Sequence, residues 1–318
     1  MKRIVWIILS SIIVTIVFVG LKYLTFDSVM PNANYGMRAI CKAKDIKDLY
    51  LGSSMFRQGI DAKEMGDSTY LLAYNSNRPF LEALQLKRLL DNGAKFDRLI
   101  VDMYPYSITR DVGISDVRMI MDGDIKFTCD VYRAMQKCGS PISTLYDLLF
   151  QQNNEIFLTL PVSYKLMNSR YHRGSNTSFR HGLSTEELAK LEPKEVDSRQ
   201  MNEFQIKGLE QIISMCRDNA IELVFIETPK YQIINEDELY SKLMTDFAVF
   251  LSARDVEMIL YDKTYDKVVD LINPVYVKKY SFDDSNPQYY LDLYHISYEG
   301  RQELSKKVLN LLNSQSNS

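Results

Sequence analysis

The chain alternates short apolar runs of strand length with longer stretches whose apolar residues recur every three or four positions. The first run, 48–52, breaks at Gly52 into two hydroxyls, Ser53 and Ser54, and leaves in a segment fit to open a helix. After residues 70–77, Pro79 and Gly93 bracket an amphipathic helix, with the proline near its start and the glycine past its end. A second buried strand starts at Arg98 and is stopped by Pro105. Strand, helix, strand in that order is the sign of a parallel sheet, because parallel neighbours need a crossover. The last third repeats it: helix 198–219, strand 221–227, helix from 235 to about 254, strand 256–261, and a final helix, 298–312, capped by Ser297. This pattern predicts an α/β fold, a three-layer α/β/α sandwich on a mostly parallel sheet, with the loops at the strand C-termini forming the site.

Two stretches break the alternation. Residues 4–21 carry no charge and as a helix span about 27 Å, close to a bilayer's hydrocarbon core. Lys2 and Arg3 precede the run and only Lys22 follows closely. The basic bias therefore puts residues 1–3 in the cytoplasm and the body outside, as a single-pass cell-membrane protein. A signal peptide is the rival reading, but the run is long for one and no Ala-x-Ala site follows, so an uncleaved anchor is expected. Residues 22–46 read as a linker and 47–312 as the domain, with a polar tail at 313–318. The second break is an insertion at about 107–197, with helical candidates at 130–137 and 143–151. Its segment 168–183, holding His172, Arg173, Arg180 and His181, reads as a lid or acceptor-binding element or as a solvated loop. Ser184 and Glu187 make a capping box for a helix ending near Pro193.

Composition narrows the function. With 46% hydrophobic and 25% charged residues the chain can bury a full core. Acids outnumber bases, 41 to 38, and three of the bases flank the apolar run, which argues against a nucleic-acid surface. Four cysteines without a Cys-x-x-Cys pair and three scattered histidines argue against zinc, and no metal or cofactor is expected. Cys129 and Cys138 are open to two readings, a disulfide or unpaired buried thiols.

The candidate chemistry lies at the two ends of the domain. Ser54 sits on a strand-to-helix turn, where following backbone N–H groups favour a developing negative charge. The alternative is a plain turn with an N-cap serine. Near the other end, Asp292 precedes His295 by three residues, a spacing that lets the carboxylate fix one imidazole nitrogen while the other faces a serine. A serine after the first strand with Asp-x-x-His before the last helix resembles the SGNH (GDSL-type) hydrolases. The likeness is greatest to the membrane-anchored group related to DltD and to bacterial polysaccharide O-acetylation proteins.

That resemblance implies a flavodoxin-like SGNH fold with Ser54 as nucleophile and Asp292 and His295 completing a triad. Gly-x-Ser order selects Ser54 over Ser53. The family's glycine and asparagine oxyanion blocks are not matched literally. Their places fall at Asn75-Ser76-Asn77 and at Asp102-Met103-Tyr104-Pro105, which makes Asn77, Ser76, Tyr104 and Ser53 the oxyanion and substrate candidates, with Asn77 equally readable as a helix cap. Thr228-Pro229-Lys230-Tyr231, at another strand end, is placed to face the pocket. The implied activity is a serine esterase or O-acyltransferase moving small acyl groups, such as acetyl or D-alanyl, on a cell-envelope glycan or polyol-phosphate polymer. A membrane-bound O-acyltransferase is the implied donor partner. A tethered general carboxylesterase or lipase and a non-catalytic envelope scaffold stay open as alternatives.

Overall fold

Five of the strands have interiors of nearly continuous apolar residues, as in a sheet covered on both faces. The structure, a computed structural model, describes residues 2–29, 36–113, 116–117, 120, 125–145, 148, 171–176, 180–193 and 200–314. After a first helix α1 (Lys2–Val29) come α2 (Met37–Lys42), β1 (Asp48–Gly52), α3 (Ser54–Gly59), α4 (Ala62–Met65), β2 (Thr69–Ala73), α5 (Pro79–Asp91) and β3 (Arg98–Asp102). Then follow α6 (Ile125–Lys137), a small hairpin of β4 (Tyr171–His172) and β5 (Ser175–Asn176), α7 (Thr185–Leu188) and α8 (Glu203–Asp218). The chain continues through β6 (Glu222–Ile226), α9 (Gln232–Asn235), α10 (Glu238–Ser252), β7 (Glu257–Tyr261), α11 (Asp262–Val268), β8 (Val277–Tyr280) and α12 (Tyr298–Asn313).

Six strands form one all-parallel sheet in the order β2-β1-β3-β6-β7-β8. The chain steps from β1 to β2 in one direction and from β3 through β6 to β8 in the other. Right-handed crossovers therefore put α3 and α4, which pack with α12, on one face, and α5 with α8 on the other. The last two come very close at Gly208, where a Cβ would lie 2.4 Å from the Phe80 nitrogen. The reversal of direction leaves a crevice beyond the C-terminal ends of β1 and β3, the position where such sheets bind ligands.

Several sequence expectations are revised. Helix 198–219 starts later, at Glu203, because the Asn202 side chain caps it. The helix expected from 235 is two helices, since Asp237 caps a second one at the Tyr240 N–H. The residues 22–46 are not all linker: α2 sets Met37 and Ile40 into the core, and Ile46 joins them. The edge strand β8, Val-Lys-Lys-Tyr, has no apolar run to mark it. The described cysteines are free thiols, Cys216 buried and the other three half-buried. Among the described residues no helix is long and apolar enough to cross a membrane. The described side chains of α1 cover residues 3–17, and residues 18–21 of the expected span lie outside them. Much of the expected insertion, including 149–170, also lies outside the described residues, as does the tail from 315.

Candidate active site

The first element of the site is the turn between β1 and α3. Ser53 is the N-cap of α3, its Oγ accepting the Met55 N–H at 3.2 Å, so Ser54 becomes the first helical residue. Beneath it, Asp102 at the end of β3 takes both the N–H (3.0 Å) and the Oγ–H (2.5 Å) of Ser53 on one oxygen, and also accepts from the Phe56 backbone. Asp102 is buried; burial pushes its carboxyl up, and the bonds from Ser53 oppose the push. Gly52 is required here because a Cβ would stand 2.9 Å from the Asp102 Cγ. Glu82 of α5 is buried with neither carboxyl oxygen hydrogen-bonded, and burial together with the nearby Asp102 pushes it well above the usual carboxylate range.

The second element is the loop before α12. An isolated bridge pairs Tyr290 with Ile296, and the Leu291 N–H donates to the His295 carbonyl at 2.8 Å, which closes a tight loop around Asp292. One Asp292 oxygen accepts the N–H groups of Tyr294 (2.7 Å) and His295 (2.9 Å); the other lies 2.8 Å from His295 Nδ1. Burial works to raise the Asp292 pKa, but the hydrogen bond and charge of His295 with the two N–H groups outweigh it and hold the carboxyl at about 2. With Nδ1 bonded to a carboxylate, Nε2 is left to accept, and it lies 2.8 Å from Ser54 Oγ. Ser54, His295 and Asp292, 241 residues apart at the extremes, thus form one hydrogen-bonded chain.

The segment after β6 holds this loop from below. The Tyr231 N–H donates to the Leu293 carbonyl and the Tyr290 hydroxyl to the Lys230 carbonyl. Lys230 does not face the pocket as the sequence suggested. It is fully buried, with Nζ bonded at 2.7 Å to both oxygens of Thr228 and 5.3 Å from the centre of the Tyr104 ring. Next to it the buried Glu227 carboxyl accepts from Thr264 and the Tyr261 N–H. Burial, only partly offset by those bonds and by the lysine charges, raises Glu227 to about 7. A carboxyl raised on folding stabilises below its unfolded value of 4.5 and loses that contribution as pH rises to about 7. Urea unfolding at stepped pH is expected to show this decline over that interval in the natural chain and a flatter profile in Glu227→Gln.

Of the oxyanion candidates, Asn77 is occupied: its amide donates to the Gly52 carbonyl (3.1 Å) and to Gln85 Oε1 (2.9 Å). It ties the turn after β2 to the end of β1. Ser53 is likewise committed to Asp102. Ser76, in contrast, takes a left-handed φ of 59°, a conformation usually left to glycine, and neither its N–H nor that of Ser54 has a hydrogen bond among the described residues. Tyr104 packs against Tyr106 with the rings tilted, their centroids 5.6 Å apart, and burial pushes its hydroxyl pKa above the usual range.

Two recesses meet at the nucleophile, and Ser54 and Ser76 line both. One is narrow, about 100 Å³, and bounded by Tyr104, Tyr106, Arg78 and Arg110. The other is wide, about 570 Å³, and holds Asp292, His295, Arg180 and His181. The polar segment of the sequence therefore divides. Arg180 and His181 sit at the rim, where His181 Nδ1 meets Glu299 at 2.5 Å and the Tyr298 N–H donates to the Arg180 carbonyl. Arg173 turns away to Asp45 and to the Thr69 carbonyl. Ser184 and Glu187 do form a capping box, on a helix that ends at Leu188. No known family model matches the chain, and comparison with curated proteins finds no match.

Proposed function

We propose that this chain is a serine acyl-transfer enzyme of the SGNH type, an O-acyltransferase or esterase working through an acyl-serine intermediate. The observation that carries the reading is the 2.8 Å approach of His295 Nε2 to Ser54 Oγ with Asp292 behind the ring. Ser54 attacks the acyl carbonyl as His295 takes its proton, and Asp292 stabilises the imidazolium. The same proton then passes to the departing alcohol. Water or a second alcohol, deprotonated by His295, releases the acyl group. The backbone N–H groups of Ser54 and Ser76 receive the oxyanion, Ser76 doing with its left-handed backbone what a glycine does in the family pattern.

The leaving alcohol and the acceptor lie on the His295 side, in the wide polar recess, whose size suits a glycan or polyol-phosphate chain. The reading includes an N-terminal anchor, an extracytoplasmic domain, an envelope polymer as acceptor and a membrane-bound O-acyltransferase as donor partner. The run of exposed apolar side chains from Ile4 to Val17 behind Lys2 and Arg3 supports the anchor; the polymer and the donor partner rest on the resemblance. The deciding experiment treats the purified chain with a fluorophosphonate and maps the adduct by mass spectrometry. Modification of Ser54, lost in His295→Ala and slowed but still present in Ser53→Ala, is the expected result; an unmodified Ser54 in the natural chain would end the reading.

A further inference from the structure

His295 must protonate the leaving group, so the alcohol side of any ester lies in the wide recess and the acyl side in the narrow one, which neither His295 nor Asp292 lines. At about 100 Å³ the narrow recess matches roughly three water-sized groups. Its lining contains two guanidinium groups, Arg78 and Arg110, and no carboxylate. Arg78 is bonded to Asp116 at 3.0 Å and to the Asp111 carbonyl, so part of its charge is offset. Arg78 and Arg110 also line a neighbouring recess that contains Asp111 and Asp116. Behind the tyrosine wall stands the cation of Lys230; below Ser53 stands Asp102, with its bonded oxygen already serving Ser53. The inner surface is thus small, oxygen-rich from Tyr104, Tyr106 and Ser107, and bordered by two guanidinium groups.

We infer that this recess takes a short acyl group of about four carbons or fewer whose far end is a carboxylate, a hemimalonyl or hemisuccinyl type, and that it turns away acyl groups bearing an ammonium. The inference rests on Ser54 being the acylated residue. A guanidinium pairs with a carboxylate through parallel hydrogen bonds, whereas an aminoacyl ammonium meets like charge in a confined space.

The test uses the intact chain and four esters of one phenol, acetate, hemimalonate, glycinate and octanoate, each corrected for its enzyme-free rate. The expected kcat/KM for hemimalonate exceeds that for glycinate by at least about tenfold, with octanoate the poorer of the two uncharged esters. Arg110→Met should reduce the hemimalonate-to-glycinate ratio about tenfold, and Arg110→Lys, which keeps the charge but not the parallel hydrogen bonds, should restore part of it. A ratio near one in the natural chain, or one unmoved by Arg110→Met, overturns the inference. Fluorophosphonate labelling of the same preparations separates the causes: a labelled Ser54 without the preference removes the pocket assignment alone, while an unlabelled Ser54 removes the acyl-serine reading and this inference with it.

Discussion

Replacing Ser54 by alanine is expected to lower kcat for a phenyl ester by about 10⁴-fold or more, with His295→Ala close behind and the double variant scarcely worse than either. The three groups act as one unit, because Ser54 Oγ is a poor nucleophile until Nε2, 2.8 Å away, takes its proton. Asp292→Asn should cost about 10³-fold or more: an amide offers Nδ1 no charge and permits the wrong tautomer. Its KM should move little, since Asp292 does not touch the acyl group. The pH profile carries a separate expectation. The Asp292 carboxyl is held at about 2, so its stabilising contribution is complete above its unfolded value of 3.8 and fades only as pH falls toward 2. Any acid limb of activity at higher pH therefore belongs to another group of the site. Steady-state kinetics over pH would decide the matter. Full activity in Ser54→Ala, or equal tolerance of Asp292→Asn and a surface substitution, would show that another residue performs the attack.

Much of this site was legible because its two halves carry local signals. A glycine followed by two hydroxyls at the end of an apolar run marks a strand-to-helix turn, and Asp-x-x-His ahead of a Ser-capped helix marks a self-bonded loop. Parallel β1, β3, β6 and β7 were readable for a related reason, since strands buried on both faces need continuous apolar runs. The edge strand β8 has no such need. Lys278 and Lys279 suit an unpaired edge and leave a sequence that reads as loop. Partnerships between polar residues distant in sequence were not legible. Asn77 has the composition of an oxyanion donor, and only the folded chain places the Gly52 carbonyl and Gln85 where they take both its N–H groups. Ser76 gave the opposite difficulty, because nothing in its side chain announces a left-handed backbone. Asp102 reads in the sequence as the start of the strand-end block Asp102-Met103-Tyr104-Pro105, and nothing there marks its bond to Ser53, 49 residues away.

That last contact sets the second large expectation. Asp102→Ala should destabilise the fold by about 3 kcal/mol and lower kcat by about 10²-fold while KM stays near its natural value. The stability loss follows from leaving the Ser53 N–H and Oγ–H and the Phe56 N–H without their buried acceptor, with Lys230 deprived of a compensating charge. The rate loss follows from geometry: Ser53 is the N-cap of α3, and once it is released, Ser54 Oγ is no longer held at hydrogen-bonding distance from a fixed imidazole. Asp102→Asn keeps one acceptor oxygen and should fall between the two. Gly52→Ala strikes the same contact from the other side, since its new Cβ would stand 2.9 Å from the Asp102 Cγ and force the turn outward. The two changes are therefore expected to be coupled. Removing the carboxylate makes room for the methyl, so the double variant should lose less stability than the sum of the singles. Urea unfolding measures the first part and single-turnover kinetics the second. If Asp102→Ala lost stability but kept kcat, Asp102 would be a structural ligand of the turn and nothing more; if it lost kcat in proportion to its displacement of Ser54, the end of β3 would be the mould in which the nucleophile is set.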